Sequence, residues 1–126
     1  MQFRSLFIAT AILEAATGLG LFLSPSAPVA FLIDAPLDTD GGFIVARIAG
    51  GALFSLAVAC WFARNDGQSR SATGLGMAIL LYNVAVVGVF LYAGIGLGLS
   101  GPGLWPAIML HTVLAIWCLV CLRSGL

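Results

Sequence analysis

The chain has 126 residues, of which 61% are apolar and 8% are charged, and its formal net charge is zero. Water-soluble domains carry roughly 25% charged residues, so this composition excludes an ordinary soluble surface and predicts one that faces lipid. Nucleic-acid binding requires a basic face. Because the chain has neither a net positive charge nor a basic stripe, no nucleic-acid partner is expected.

Four apolar stretches are long enough to cross a bilayer as helices, since about 20 residues span its roughly 30 Å hydrocarbon core. The stretches cover residues 5–23, 43–63, 72–97 and 104–122. They predict an all-α fold in which residues 1–126 form a single domain, an integral membrane four-helix bundle. Glu14 lies in the middle of the first stretch, so this stretch is predicted to be a retained helix rather than a signal peptide.

The arginines outside these stretches predict how the bundle is oriented. By the positive-inside rule, short segments that carry arginine stay in the cytoplasm. Both termini and the loop between the second and third spans are therefore predicted to be cytoplasmic, with residues 24–42 and 98–103 outside. The expected location is the cell inner membrane, as a multi-pass protein. The arginines concerned are Arg4, Arg64, Arg70 and Arg123.

The external loop, residues 24–42, contains an apolar run at residues 29–33 between two prolines and an acidic stretch. Apolar segments of this kind commonly rest among lipid head groups. The run is therefore predicted to form a short interfacial helix, and a lid over a pocket is the alternative.

Each span carries at least one residue that hydrocarbon disfavours. A charge at the centre of the bilayer costs about 2.5–3.5 kcal/mol, so such side chains are expected to face the interior of the bundle and to have partners there. They are also the candidate ligand-binding residues. The set consists of Glu14, Arg47, Asn83 with its neighbour Tyr82, and His111.

Counted from the outer ends of the spans, these polar residues lie in the outer half of the membrane or near its middle. They are predicted to converge on one cavity that opens outward, with Glu14 paired to Arg47. Gly50 and Gly51 next to Arg47 either let another backbone come close or leave space for a ligand. The alternative is that the polar residues only fix helix packing and register.

Cys60, Cys118 and Cys121 lie in apolar runs and are predicted to be small buried residues rather than a disulfide framework. His111 is about 10 Å along a helix from Cys118, so no metal site is expected. The sequence contains no phosphate loop or nucleophile motif that would indicate a cofactor or a catalytic residue.

The segment Arg47-Ile48-Ala49-Gly50-Gly51-Ala52, preceded by a first helix that ends in an apolar loop with prolines, resembles small bacterial four-helix membrane proteins of the DoxX-like kind. Tyr82-Asn83, and Trp105-Pro106 with His111, resemble features that recur in bacterial proteins of this size. The resemblance implies the four-helix fold and assigns no reaction.

Three functions fit these observations. The first is binding, or conversion, of a small amphipathic molecule such as a quinone or lipid precursor in the outward-opening pocket. The second is a structural or accessory subunit of a membrane complex or homo-oligomer, with membrane lipid as its other partner. The third is a small proton-coupled transporter in which Glu14 and His111 relay protons.

Overall fold

A computed structural model of the chain describes residues 3–125, which contain helices and no strand. Four helices are long and apolar enough to cross a membrane, so the predicted all-α fold with four such spans is confirmed. A fifth, short helix follows the first. The helices are α1 (Phe3–Leu23), α2 (Ser26–Ile33), α3 (Asp40–Ala63), α4 (Arg70–Leu91) and α5 (Leu104–Ser124).

Two of the helices begin earlier than predicted because polar residues cap them. Thr39 precedes α3, and its hydroxyl oxygen accepts a hydrogen bond from the Gly42 amide at 3.0 Å. Ser69 does the same for α4, accepting from the Ala72 amide at 3.0 Å. Such caps satisfy free amides of the first turn. Prediction from apolar length therefore placed these starts two or three residues too late.

The end of α4 widens into a π-helical turn, Tyr92–Gly96. The Leu97 amide donates to the Tyr92 carbonyl at 3.0 Å. The chain then leaves the helix at Gly98, whose φ of +67° suits glycine. This glycine-rich stretch therefore ends the third long helix.

The closest helix contact is the crossing of α1 and α3 at Gly18 and Gly50. A Cβ atom at Gly50 would lie 2.6 Å from the Gly18 carbonyl oxygen, and one at Gly18 would lie 2.7 Å from the Gly50 oxygen. Only glycine permits this approach of two backbones. Gly51 differs, since its nearest neighbour would be a Phe22 ring carbon at 4.0 Å. Of the two roles considered for these glycines, close packing is therefore confirmed for Gly50.

The bundle has two ends that are filled differently. We call the end with residue 3, the α3–α4 loop and the end of α5 the terminal half, and the opposite end the α2 half. The core of the terminal half is apolar, and the rings of Phe3 and Phe7 stack there with centroids 5.1 Å apart. All three cysteines are buried, as predicted, and none forms a disulfide within the described residues. All three, Cys60, Cys118 and Cys121, belong to this core.

The predicted short helix in the external loop is α2, and it is tied to the α4–α5 loop. The Gly103 amide donates to the Phe31 carbonyl at 2.9 Å, and the Gly101 amide to the Leu32 carbonyl at 3.2 Å. A side chain at Gly101 would collide with the backbone of α2. These contacts fix α2 across the end of the bundle.

Candidate ligand-binding site

A cavity of about 430 Å³ lies in the α2 half of the bundle. Its walls come from α1, α4 and α5 with one residue of α3, Leu53, and its cover comes from α2 through Pro28, Phe31 and Leu32. The lid that was weighed as an alternative for the external loop therefore has a cavity beneath it. The size is within the roughly 300–1,000 Å³ of ordinary small-molecule sites.

The wall of the cavity is mostly apolar, and two side chains add aromatic rings with polar atoms. Tyr82 and His111 both line it, and their rings meet edge to face with centroids 5.8 Å apart. Phe90 is a further wall residue, and its ring centroid lies 6.5 Å from that of His111. A ligand in this space would contact a largely hydrophobic surface with polar groups at one place.

His111 is held by Asn83, which stands behind it on α4. The Asn83 Nδ2 donates to the Ile79 carbonyl at 2.9 Å, and this turns the amide oxygen toward His111. The His111 Nδ1 lies 2.7 Å from that oxygen and is therefore the donor. In the neutral ring Nε2 is then an acceptor, and it makes no hydrogen bond to any of residues 3–125.

Tyr82 is held by Glu14, which is 1% exposed in the middle of α1. The Tyr82 hydroxyl donates to Glu14 Oε2 at 3.1 Å. The other carboxyl oxygen, Oε1, is buried and has no partner within the described residues, and the same is true of the hydroxyl of Thr10 one turn away. A buried polar atom without a partner costs about 1–3 kcal/mol, which is why such atoms are rare outside functional sites.

The predicted pair of Glu14 and Arg47 is wrong. Arg47 is exposed on α3, is not part of the cavity wall, and forms no ion pair with any residue in the described range. Glu14 instead bonds to Tyr82. The physical reason is the position of the two residues along the helices: from the crossing of Gly18 and Gly50, Glu14 lies about one turn toward the terminal half and Arg47 about one turn toward the α2 half, so roughly 10 Å of helix length separates them.

Four of the five predicted residues are therefore brought together in two bonded pairs, Glu14 with Tyr82 and Asn83 with His111. Tyr82 and His111 line the cavity, and Glu14 and Asn83 position them from behind. Phe90 was not predicted to take part, and the residues of α2 were considered only as the alternative of a lid. The apolar run between prolines was the signal for α2, but Phe90 is one of many apolar residues and nothing in the sequence marks it.

No family model, curated protein or solved structure matches this chain. A role for the cavity is therefore argued from its geometry. That geometry combines an apolar enclosure with two polar groups, each oriented by a buried neighbour on another helix.

Proposed function

We propose that the chain is a multi-pass protein of the cell inner membrane that binds a small amphipathic molecule in the cavity beneath α2. The observation that carries this proposal is the placement of Tyr82 and His111, both fixed by buried partners, in the wall of an otherwise apolar cavity. Side chains that only lock helices together have no need of an adjoining space of about 430 Å³.

Membrane insertion is supported by the outer surface of the bundle. Large apolar side chains are exposed on every long helix, with Phe62 at 76% and Ile95 at 74% exposure. Exposed surfaces of this kind on all sides suit lipid rather than water. Trp61 and Trp105 are half exposed at opposite ends of the bundle, where interfacial belts would lie.

The proposed orientation puts both termini in the cytoplasm and α2 outside, following the positions of the arginines. Cysteine labelling in intact cells tests it, because the three native cysteines are buried. Asp38→Cys is expected to react with an impermeant maleimide, and Gln68→Cys to react only after the cells are broken. The opposite pattern would reverse the orientation.

The hydrogen-bond directions at the site indicate what kind of ligand fits. Nδ1 of His111 donates to Asn83, so its Nε2 offers a lone pair; the Tyr82 hydroxyl donates to Glu14, so its oxygen still accepts. Both groups thus present acceptors. The ligand we propose has an apolar body and a polar end that donates hydrogen bonds, such as an alcohol, a phenol or a reduced quinone.

Native mass spectrometry of the protein extracted gently from its own membrane tests this function. The wild type is expected to retain one small molecule per chain. Tyr82→Phe removes an acceptor and Ala107→Phe places a ring in the cavity, so both are expected to lose it. Arg47→Gln is the matched control. The sequence predicted Arg47 to be a ligand-binding residue paired with Glu14, but its side chain is not part of the cavity wall.

Two results would contradict the proposal. One is a wild-type protein that never retains a molecule. The other is a molecule that Tyr82→Phe and Ala107→Phe keep but Arg47→Gln loses, since that would assign binding to the outer face of α3.

A structural role in a homo-oligomer is the second candidate, and one observation favours it. Ala52, Ser55 and Ala59 are exposed along one stripe of α3, and small residues let helices of neighbouring copies approach closely. A ligand-free oligomer in the same mass spectra would support it. Proton transport is less favoured, because the terminal half has a packed core with no polar path among its described residues.

A further inference from the structure

A second recess lies on the face of α1 opposite the cavity. It is an apolar groove of about 320 Å³ between α1 and α3. Leu13 and Thr17 of α1 face the cavity, whereas Ala11 and Ala15 face the groove, as the 100° rotation per residue requires. The other groove residues are Ile12 on α1 and Phe54, Ala57, Val58, Trp61 and Phe62 on α3.

A polar cleft of about 290 Å³ lies at the terminal end of this groove, lined by Arg4, Arg64, Asn65 and Gly67. The helical spacing places the two on the same face of α1. On α1, Arg4 precedes the groove residues Ala11 and Ala15 by seven and eleven positions, which is the same face. No carboxylate is among the described residues that line the cleft.

Arg64 is held at the junction of cleft and groove. Its guanidinium carbon lies 4.0 Å from the centre of the Trp61 ring, and Nη1 donates to the Trp61 carbonyl. Trp61 itself is part of the groove. The stacked ring and the hydrogen bond fix a positive charge where the apolar surface ends, so less side-chain freedom is lost on binding an anion.

From this arrangement we propose that the α1–α3 face binds an anionic phospholipid, with its phosphate between Arg4 and Arg64 and one acyl chain in the groove. Guanidinium groups donate in a fork that fits phosphate oxygens, and basic recesses between helices on the cytoplasmic side suit lipid head groups. The site rests on the membrane insertion and orientation proposed above, which cysteine labelling tests separately.

The test is lipid binding to the purified full-length chain by native mass spectrometry. Phosphatidylglycerol and phosphatidylcholine with identical acyl chains are compared. We expect a clear preference for phosphatidylglycerol, weakened by about tenfold in the double variant Arg4→Gln/Arg64→Gln, which corresponds to about 1.4 kcal/mol. The double variant Arg70→Gln/Arg123→Gln removes the same charge at the same end of the bundle but outside the cleft, and is expected to bind as the wild type does.

Two further measurements distinguish the phosphate of a lipid from a free phosphate ion. Ala15→Phe fills the groove and is expected to weaken phosphatidylglycerol several-fold, whereas inorganic phosphate alone is expected neither to bind nor to displace the lipid. Displacement by inorganic phosphate, with Ala15→Phe unaffected, would make the cleft a site for a soluble anion and overturn the lipid proposal. Equal losses in the Arg70→Gln/Arg123→Gln control would reduce the preference to general charge attraction and overturn it as well.

Discussion

In the terminal half of the bundle, aromatic and aliphatic side chains form the core, and Phe3, Leu6 and Phe7 are almost completely buried. In the α2 half, the same long helices enclose about 430 Å³, and the buried side chains there include Glu14, Asn83 and His111. The terminal half therefore has a packed apolar core, and the α2 half has a cavity with oriented polar groups.

Stability is therefore expected to depend mainly on the terminal half, and binding on the α2 half. Burial and dispersion contacts stabilise the terminal half, and removal of a large side chain there leaves a new cavity. The α2 half already contains a cavity, and Glu14 keeps a carboxyl oxygen with no partner among the described residues, a combination that lowers stability and is retained where a site is needed.

The largest effect is expected for Phe7→Ala. Phe7 is completely buried in the terminal half, and its loss should lower the free energy of unfolding by about 3–5 kcal/mol. Phe90→Ala is the matched change in the α2 half, where the ring already borders an open space, and it should cost less than half as much. Unfolding by denaturant in detergent micelles measures both. Equal losses would mean that the two halves are packed alike.

An intermediate effect is expected at the crossing of α1 and α3, which joins the two halves. Gly50→Ala forces two backbones apart and should cost about 1–3 kcal/mol. Gly51→Ala is its control, because the added carbon meets only an ordinary contact, and its effect should stay within about 0.5 kcal/mol. If thermal melting of the two variants is the same, the crossing lies elsewhere on α3.

The smallest effect is a gain of stability at the boundary between the halves. The Thr10 hydroxyl is buried without a partner among residues 3–125, so Thr10→Val should raise the free energy of unfolding by about 1 kcal/mol. Thr112→Val is the control, since the Thr112 hydroxyl donates to the Ile108 carbonyl at 2.7 Å. That variant should be neutral or slightly less stable. A loss of stability in Thr10→Val would mean that its hydroxyl has a partner in the native protein.

The four long helices could be predicted because length and composition specify them. The polar residues could be identified because each is costly in an apolar helix. Their pairing could not be predicted in full, since pairing depends on how each helix is rotated about its axis. Gly50 and Gly51 differ by 100° around α3, and the sequence does not show which of them faces α1. The sequence also does not show how far α1 and α3 are shifted along their axes, and this shift separates Arg47 from Glu14.

The sequence predicted that a cavity exists, but its apolar wall and its cover could not be predicted. Its cover depends on hydrogen bonds from the Gly101 and Gly103 amides to α2, which join segments about 70 residues apart in the chain. Apolar wall residues such as Phe90 do not differ in type from the residues that face outward. Only the folded arrangement separates the two groups.

The burial of Phe3 has a consequence for how the protein is made. Its ring lies against Gly76 of α4 and close to Leu122 of α5, so the start of α1 is covered by segments that are synthesised after it. Domains otherwise tend to form from the N-terminal side as synthesis proceeds. For this chain, α1 and α3 can meet early at their glycine crossing, but the buried face of α1, including Glu14, waits for α4 and α5. Quality control during biogenesis would therefore act on chains in which α4 and α5 have already been made.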